Sequence, residues 1–159
     1  MKITVLAVGK IKEKYWNMAL AEYSKRLSRY CKLEITEVAD EKTPDGAGEA
    51  LEEQIRQKEG KRLLDKIPGN AHVIALAIQG KMLDSVELAD RLEKLAVSGT
   101  AHIVFIIGGS LGLDEAVLRR AHEQLSFSRM TFPHQMMRVI LLEQIYRGYR
   151  IINHEPYHK

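Results

Sequence analysis

The chain has a single cysteine, Cys31, in 159 residues. One thiol excludes an internal disulfide and any metal site built on thiolates, and it suits a reducing compartment. Long apolar runs are missing too. Stretches such as IVFII at 103–107 fall far short of the roughly 20 residues needed to span a bilayer as a helix. Only Met1 and Lys2 precede the strand-like run ITVLAV, so no secretory leader is expected. No internal repeat, low-complexity tract or linker interrupts the chain. The hydrophobic share of 45% and the charged share of 28% are ordinary for a globular domain. A soluble cytoplasmic protein is expected, folded as one domain over 1–159 and large enough to bury a core.

Several catalytic signatures are absent as well. No G-x-x-x-x-G-K-[ST] occurs, which excludes a P-loop ATPase. No G-x-S-x-G elbow occurs, and Ser126 and Ser128 have no strained turn to activate them. No pair of histidines or acids has zinc-ligand spacing, so no metal is expected. IIGGSLG (106–112) spaces its glycines as G-G-x-x-G, sits in the last third of the chain and lacks an acid about twenty residues on. It is therefore a poor dinucleotide fingerprint.

What is present is a regular alternation of strand and helix patterns. Strands are predicted at 2–8, 33–38, 72–78 and 102–107. Helices are predicted at 13–30, 49–66, from Asp84 or Ser85 to about 96, at 115–124 behind Asp114, and from Pro133 onward. Strands separated by helices imply an α/β fold with a mostly parallel sheet covered on both faces. Ligands bind such sheets at the carboxyl ends of the strands. The segments that fall there are VGKIKEK, AIQGK, IIGGSLG and SRMTFPH. Of the histidines, His72 and His102 begin buried strands and read as structural, and His122 reads as solvated on a helix. His134, at a helix start after a proline, is placed for chemistry.

Net charge is only +3, but residues 1–33 hold eight Lys/Arg against two acids and residues 129–159 five against two. If the two ends of the chain meet, they form a basic surface suited to phosphates. From charge alone, Lys10, Lys12 and Lys14 read first as solubilising residues. In the last helix Ile145 and Tyr149 flank Arg138 on the apolar side, where a guanidinium must snorkel, find an anion or meet another chain. Glu143 and Arg147 are spaced as a helical ion pair.

The segments ITVLAVGK, IQGK, IIGGSLG, LSFSRMTFPHQMMRVILLEQIYR and PYHK together resemble the RlmH (YbeA-like) methyltransferases of the SPOUT superfamily. The resemblance covers essentially the whole chain, and only the acidic stretch 39–60 carries no matching motif. It implies a SPOUT-type domain with a C-terminal deep trefoil knot, working as a homodimer whose active site is completed across the interface. It implies S-adenosyl-L-methionine as cofactor and methylation of N3 of a pseudouridine in 23S rRNA. The cofactor pocket maps to Leu76, to Gly108 (whose lack of a side chain is expected to leave room), and to Phe127, Ser128, Arg129, Met130, Thr131 and Phe132. His134 becomes the first candidate base, ahead of Glu143, whose pairing with Arg147 would hold its pKa low. Arg138 is expected to bind an RNA phosphate or the cofactor's carboxylate. Tyr157 and His158 are expected to stack on or orient the target base. The apolar last helix is expected to pack against both its own sheet and a partner, with Ile145 one candidate contact. The implied partners are a second copy and the ribosome with its 23S rRNA, with no membrane and no metal. The low net charge favours an assembled ribosome over naked RNA. A methyltransferase of another RNA, such as tRNA, and a non-catalytic ribosome-binding module are the alternatives.

Overall fold

The computed structural model describes all 159 residues, Met1–Lys159. In chain order the elements are β1 (Lys2–Val8), α1 (Lys14–Leu27), β2 (Lys32–Val38), α2 (Glu49–Leu64), β3 (His72–Met82), α3 (Ser85–Val97), β4 (His102–Ile107), α4 (Glu115–Arg120), β5 (Glu123–Ser126) and α5 (His134–Ile152). The strands form one sheet in the order β2-β1-β4-β3-β5, with every neighbouring pair parallel. The central strands β1 and β4 are apolar on both faces because helices cover both. Ile3, Val5, Ala7, Ile103, Phe105 and Ile107 face α1, α3 and α5, while Leu6, Val8, Val104 and Ile106 meet Leu63 of α2 and Val117 of α4. The helix at 85 begins with a capping box: Asp84 Oδ1 accepts from Glu87 N, and the Glu87 carboxylate accepts from Asp84 N. This satisfies two otherwise orphaned donors.

Three departures from the sequence reading matter for the site. The helix expected over 115–124 stops at Arg120, and Ala121 is already extended. Residues 123–126 instead form β5, a strand too short for alternation to announce. It is held on the sheet by Leu125 in the core and by Glu123, which accepts two bonds from Arg91 and one contact from His72. His122 is accordingly not a solvated helical residue. Its Nδ1 accepts from Val73 N at 2.9 Å, and its ring stacks on His72 at 4.7 Å.

The second departure is that IQGK lies within β3, not after it. Leu76 and Lys81 both stand opposite Leu125, so residues 77–80 bulge out of the ladder. Gly80 is required there, because a Cβ would sit 2.7 Å from the Gln124 carbonyl carbon. The third concerns Ile145, which is fully buried in its own core and so does not face a partner. No helix is long and apolar enough to cross a membrane.

Candidate active site

A cavity of about 490 Å³ opens at the carboxyl ends of β3, β4 and β5, roofed by the start of α5. That volume is within the range of small-molecule sites. Of the cofactor residues expected from the sequence, Leu76, Gly108, Phe127, Ser128, Met130, Thr131 and Phe132 line it. Arg129 does not. Its walls are apolar where Leu76, Ile107, Leu125 and Phe127 meet, and elsewhere are largely main chain. The amides of Ser110, Leu111, Phe127, Ser128, Thr131 and Phe132 donate no hydrogen bond within the protein; the loops close through Gly112 N to Gly109 O, Met130 N to Ser128 Oγ and Ser126 Oγ to Ser128 O. An apolar slot edged by free amides suits a flat heteroaromatic ring with hydrogen-bonding edges. Gly108 has a different reason from the one expected. A Cβ there would lie 2.9 Å from the Gly112 carbonyl carbon, so the glycine lets the 108–112 turn close on itself.

His134 is the first residue of α5, directed by Pro133, and its ring lines the cavity. Its Nδ1 is buried without a hydrogen-bond partner. Burial, and then the Arg138 charge, hold its pKa below the usual imidazole value against the weaker opposing pull of Asp40 and Glu13. A neutral imidazole at a cavity wall is a competent proton acceptor.

Arg138 stands one turn further on and is entirely buried. Nη1 meets Glu37 Oε2 at 2.5 Å, and Nη2 donates to Gly9 O at 2.6 Å and Val8 O at 3.2 Å. Its anion is therefore internal, not the RNA phosphate or cofactor carboxylate expected. Neighbouring β2 supplies Glu37 and the end of β1 supplies the carbonyls, so both terminal nitrogens are already engaged. The sequence reading missed Glu37 because nothing in LEITEV marks one glutamate from another. It also missed Glu59, whose buried side chain touches the position behind Gly109. Its Oε2 accepts from Glu41 N, its Oε1 has no partner, and burial raises its pKa.

The tail does not fray. His154 takes a left-handed conformation, φ 55°, which turns the chain after α5 back along the helix. The Tyr157 ring then meets Tyr146 edge-on at 4.9 Å, beneath the Arg147 guanidinium at 4.7 Å. Arg147 also bonds His158 Nδ1 at 3.1 Å, and it pairs with Glu143 as the spacing required. Tyr157 and His158 thus sit at the far end of α5 from His134. Between His134 and Arg147 the helix rises about 20 Å. One chain gathers His134 with the cavity but leaves Tyr157 and His158 apart from them.

Comparison with known proteins adds a separate line. The family described as "Predicted SPOUT methyltransferase" matches residues 1–158. The chain is 64% identical to Ribosomal RNA large subunit methyltransferase H of Bifidobacterium adolescentis over 159 residues, all of both chains. Proteins of the same name from Clostridium beijerinckii and Bacillus pumilus are 60% and 57% identical, again over the full length of both chains.

Proposed function

The chain belongs to the SPOUT methyltransferase family, and from that premise we propose that it methylates N3 of a pseudouridine in 23S ribosomal RNA, with S-adenosylmethionine as methyl donor. Full-length identity of 57–64% to large-subunit rRNA methyltransferases supports the reaction and the substrate class. The structural observation that carries the reading is the cavity at the strand ends, walled by the residues that the resemblance picks out. When bound, the cofactor supplies an electrophilic methyl group.

The chain's own residues do the rest. The unpaired amides of Ser110, Leu111, Phe127, Ser128, Thr131 and Phe132 hold the ligand's polar edges, and the apolar wall keeps water from the reacting carbon. The neutral ring of His134, at the cavity wall, takes the imide proton from N3. Positioning accounts for most of the acceleration, and the base adds about 10²–10⁴-fold.

The site is composite. Pocket and tail stand at opposite ends of α5, so a two-fold antiparallel pairing of α5 brings each tail to the partner's cavity. Tyr157 then stacks on the target base and His158 orients it. The domain spans 1–159 and carries the C-terminal trefoil knot. β5 is the outermost strand, yet α5 packs inward against both α1 and α3. The chain's return from the outermost strand to the middle of the sheet, with Gly80 close against the backbone of Gln124, supports this reading.

Mass spectrometry of 23S rRNA, after ribosomes are incubated with protein and S-adenosylmethionine, tests the function. One pseudouridine should gain a methyl group at N3, and unmodified rRNA would overturn the proposal. Two further outcomes follow. Ala77→Phe adds a ring to a side chain that lines the cavity. It should lower S-adenosylmethionine affinity at least about tenfold by calorimetry, whereas parental affinity in the folded variant would place the cofactor elsewhere. The pH profile carries the other. Because the pKa of His134 is depressed, its basic form is already present at neutral pH and is lost only on acidification. Activity should be flat above about pH 6.5 and fall below it. That acid limb should disappear in the residual activity of His134→Asn, and a limb unmoved by the substitution would assign the proton to another group.

A further inference from the structure

The loop between β1 and α1 is held in place more firmly than a solubilising segment needs. Gly9 O accepts from the buried Arg138 guanidinium at 2.6 Å, Ile11 N donates to Glu37 Oε2 at 3.1 Å, and Ile11 O accepts from Asn17 Nδ2 at 3.2 Å. Ile11 itself is buried, so it anchors the loop from within. Burying an arginine–glutamate pair costs desolvation and is seldom the cheapest way to stabilise a fold. Here the pair is spent on two carbonyls and one amide at the end of β1.

What the anchored loop presents is charge. Lys10, Lys12 and Lys14 are exposed on either side of Ile11 and beyond it, and none takes part in a salt bridge. Some surface cations are paired, such as Lys2, Arg26, Arg62, Arg91 and Lys94, while exposed Lys25, Lys32, Lys42, Lys61, Lys66 and Lys81 are free as well. What sets Lys10 and Lys12 apart is the anchored loop that carries them. The nearby acid Glu13 is likewise outside every ion pair. The loop also adjoins the cavity: the direction of a Cβ on Gly9 points to His134 Cε1 at 3.5 Å. Unpaired ammonium groups on a rigid backbone, one residue from the cavity wall, are preorganised for an anionic polymer whose reacting unit enters that cavity.

We propose that Lys10 and Lys12 are the phosphate grip for the substrate RNA, holding the backbone beside the nucleotide that enters the cavity, and that Arg138 and Glu37 are positioning residues that keep the loop in place. This rests on the RNA-methylating reading above and names contacts within it. With a net charge of only +3, affinity must come from a few well-placed cations rather than from the whole field, since phosphate contacts dominate the attraction.

The test is steady-state methylation of ribosomes by the full-length protein across a series of KCl concentrations, comparing the parent with Lys10→Ala/Lys12→Ala and Lys10→Arg/Lys12→Arg. The alanine pair should raise KM for ribosomes about tenfold or more and reduce the salt slope of log kcat/KM by about one per lysine. Its kcat at saturation and its S-adenosylmethionine affinity by calorimetry should stay near the parent's. The arginine pair should restore KM, because charge and reach are kept. Parental KM and salt slope in the alanine pair overturn the grip, as does a rise in KM that arginine does not rescue. A parent protein that leaves ribosomes unmethylated overturns the function reading itself, which is a distinct outcome from active parent and unaffected variant.

Discussion

Deleting residues 156–159 is expected to lower methyl transfer to ribosomes by about 10²-fold or more while leaving the fold and cofactor binding almost unchanged. The expected loss has two parts. Removing one stacking ring from a base typically costs about 1–3 kcal/mol, and losing orientation at the reacting nitrogen multiplies that. The structural cost is small because the segment lies on the surface of α5. Its departure gives up the Tyr157–Tyr146 contact, the Arg147 guanidinium over Tyr157, the Arg147–His158 bond and the Arg150 bond to Pro156 O. Glu155 stays and keeps its bonds to Tyr30 and Arg150. Tyr157→Phe should retain most activity and Tyr157→Ala should resemble the deletion, since stacking survives only in the first. A truncated protein that works at the parental rate would return the whole reaction to the cavity and His134.

Separating the buried pair should have the largest effect on stability, and the two partners should not be equivalent. Glu37→Ala strands a guanidinium that has only 1% of its side chain exposed. The expected loss is about 3–5 kcal/mol, or about 2–4 °C of Tm per kcal/mol at this size. Arg138→Met leaves a carboxylate that is 34% exposed and can turn to water, so the loss should be about 1–3 kcal/mol. Thermal unfolding of both variants decides the matter. Equal losses, or a larger loss for Arg138→Met, would mean that the guanidinium is not held chiefly by Glu37. The asymmetry follows from geometry: Arg138 has no route to solvent from the second turn of α5, whereas Glu37 lies on the edge strand of the sheet.

The alternation of elements was legible because β1, β4 and the first half of β3 are apolar on both faces, a pattern that parallel strands under two helical layers impose. The cavity residues were legible through resemblance: glycines after β4 and the run before Pro133 carry it. Arg138 could be flagged as out of place but not resolved, since its partners lie about a hundred residues away, on β2 and at the end of β1. β5 was invisible because four residues cannot show a period, and what holds it, Arg91 and His72 on Glu123, is assembled only in three dimensions. The separation of His134 from Tyr157 was also hidden. Sequence places both in one C-terminal stretch, and only the length of α5 shows that a single chain cannot bring them together.

That separation makes subunit mixing the most direct test of the account. A chain lacking residues 156–159 keeps its cavity, and a chain with Ala77→Phe keeps its tail; with S-adenosylmethionine held no higher than the parental Kd, each alone should be largely inactive. Refolded together in equal amounts, half of the dimers should pair one of each, with one complete site. Ribosome methylation should then return to about a quarter of the parental value per chain. If mixed dimers form and remain inactive, the tail does not serve the partner's cavity and the composite site is contradicted.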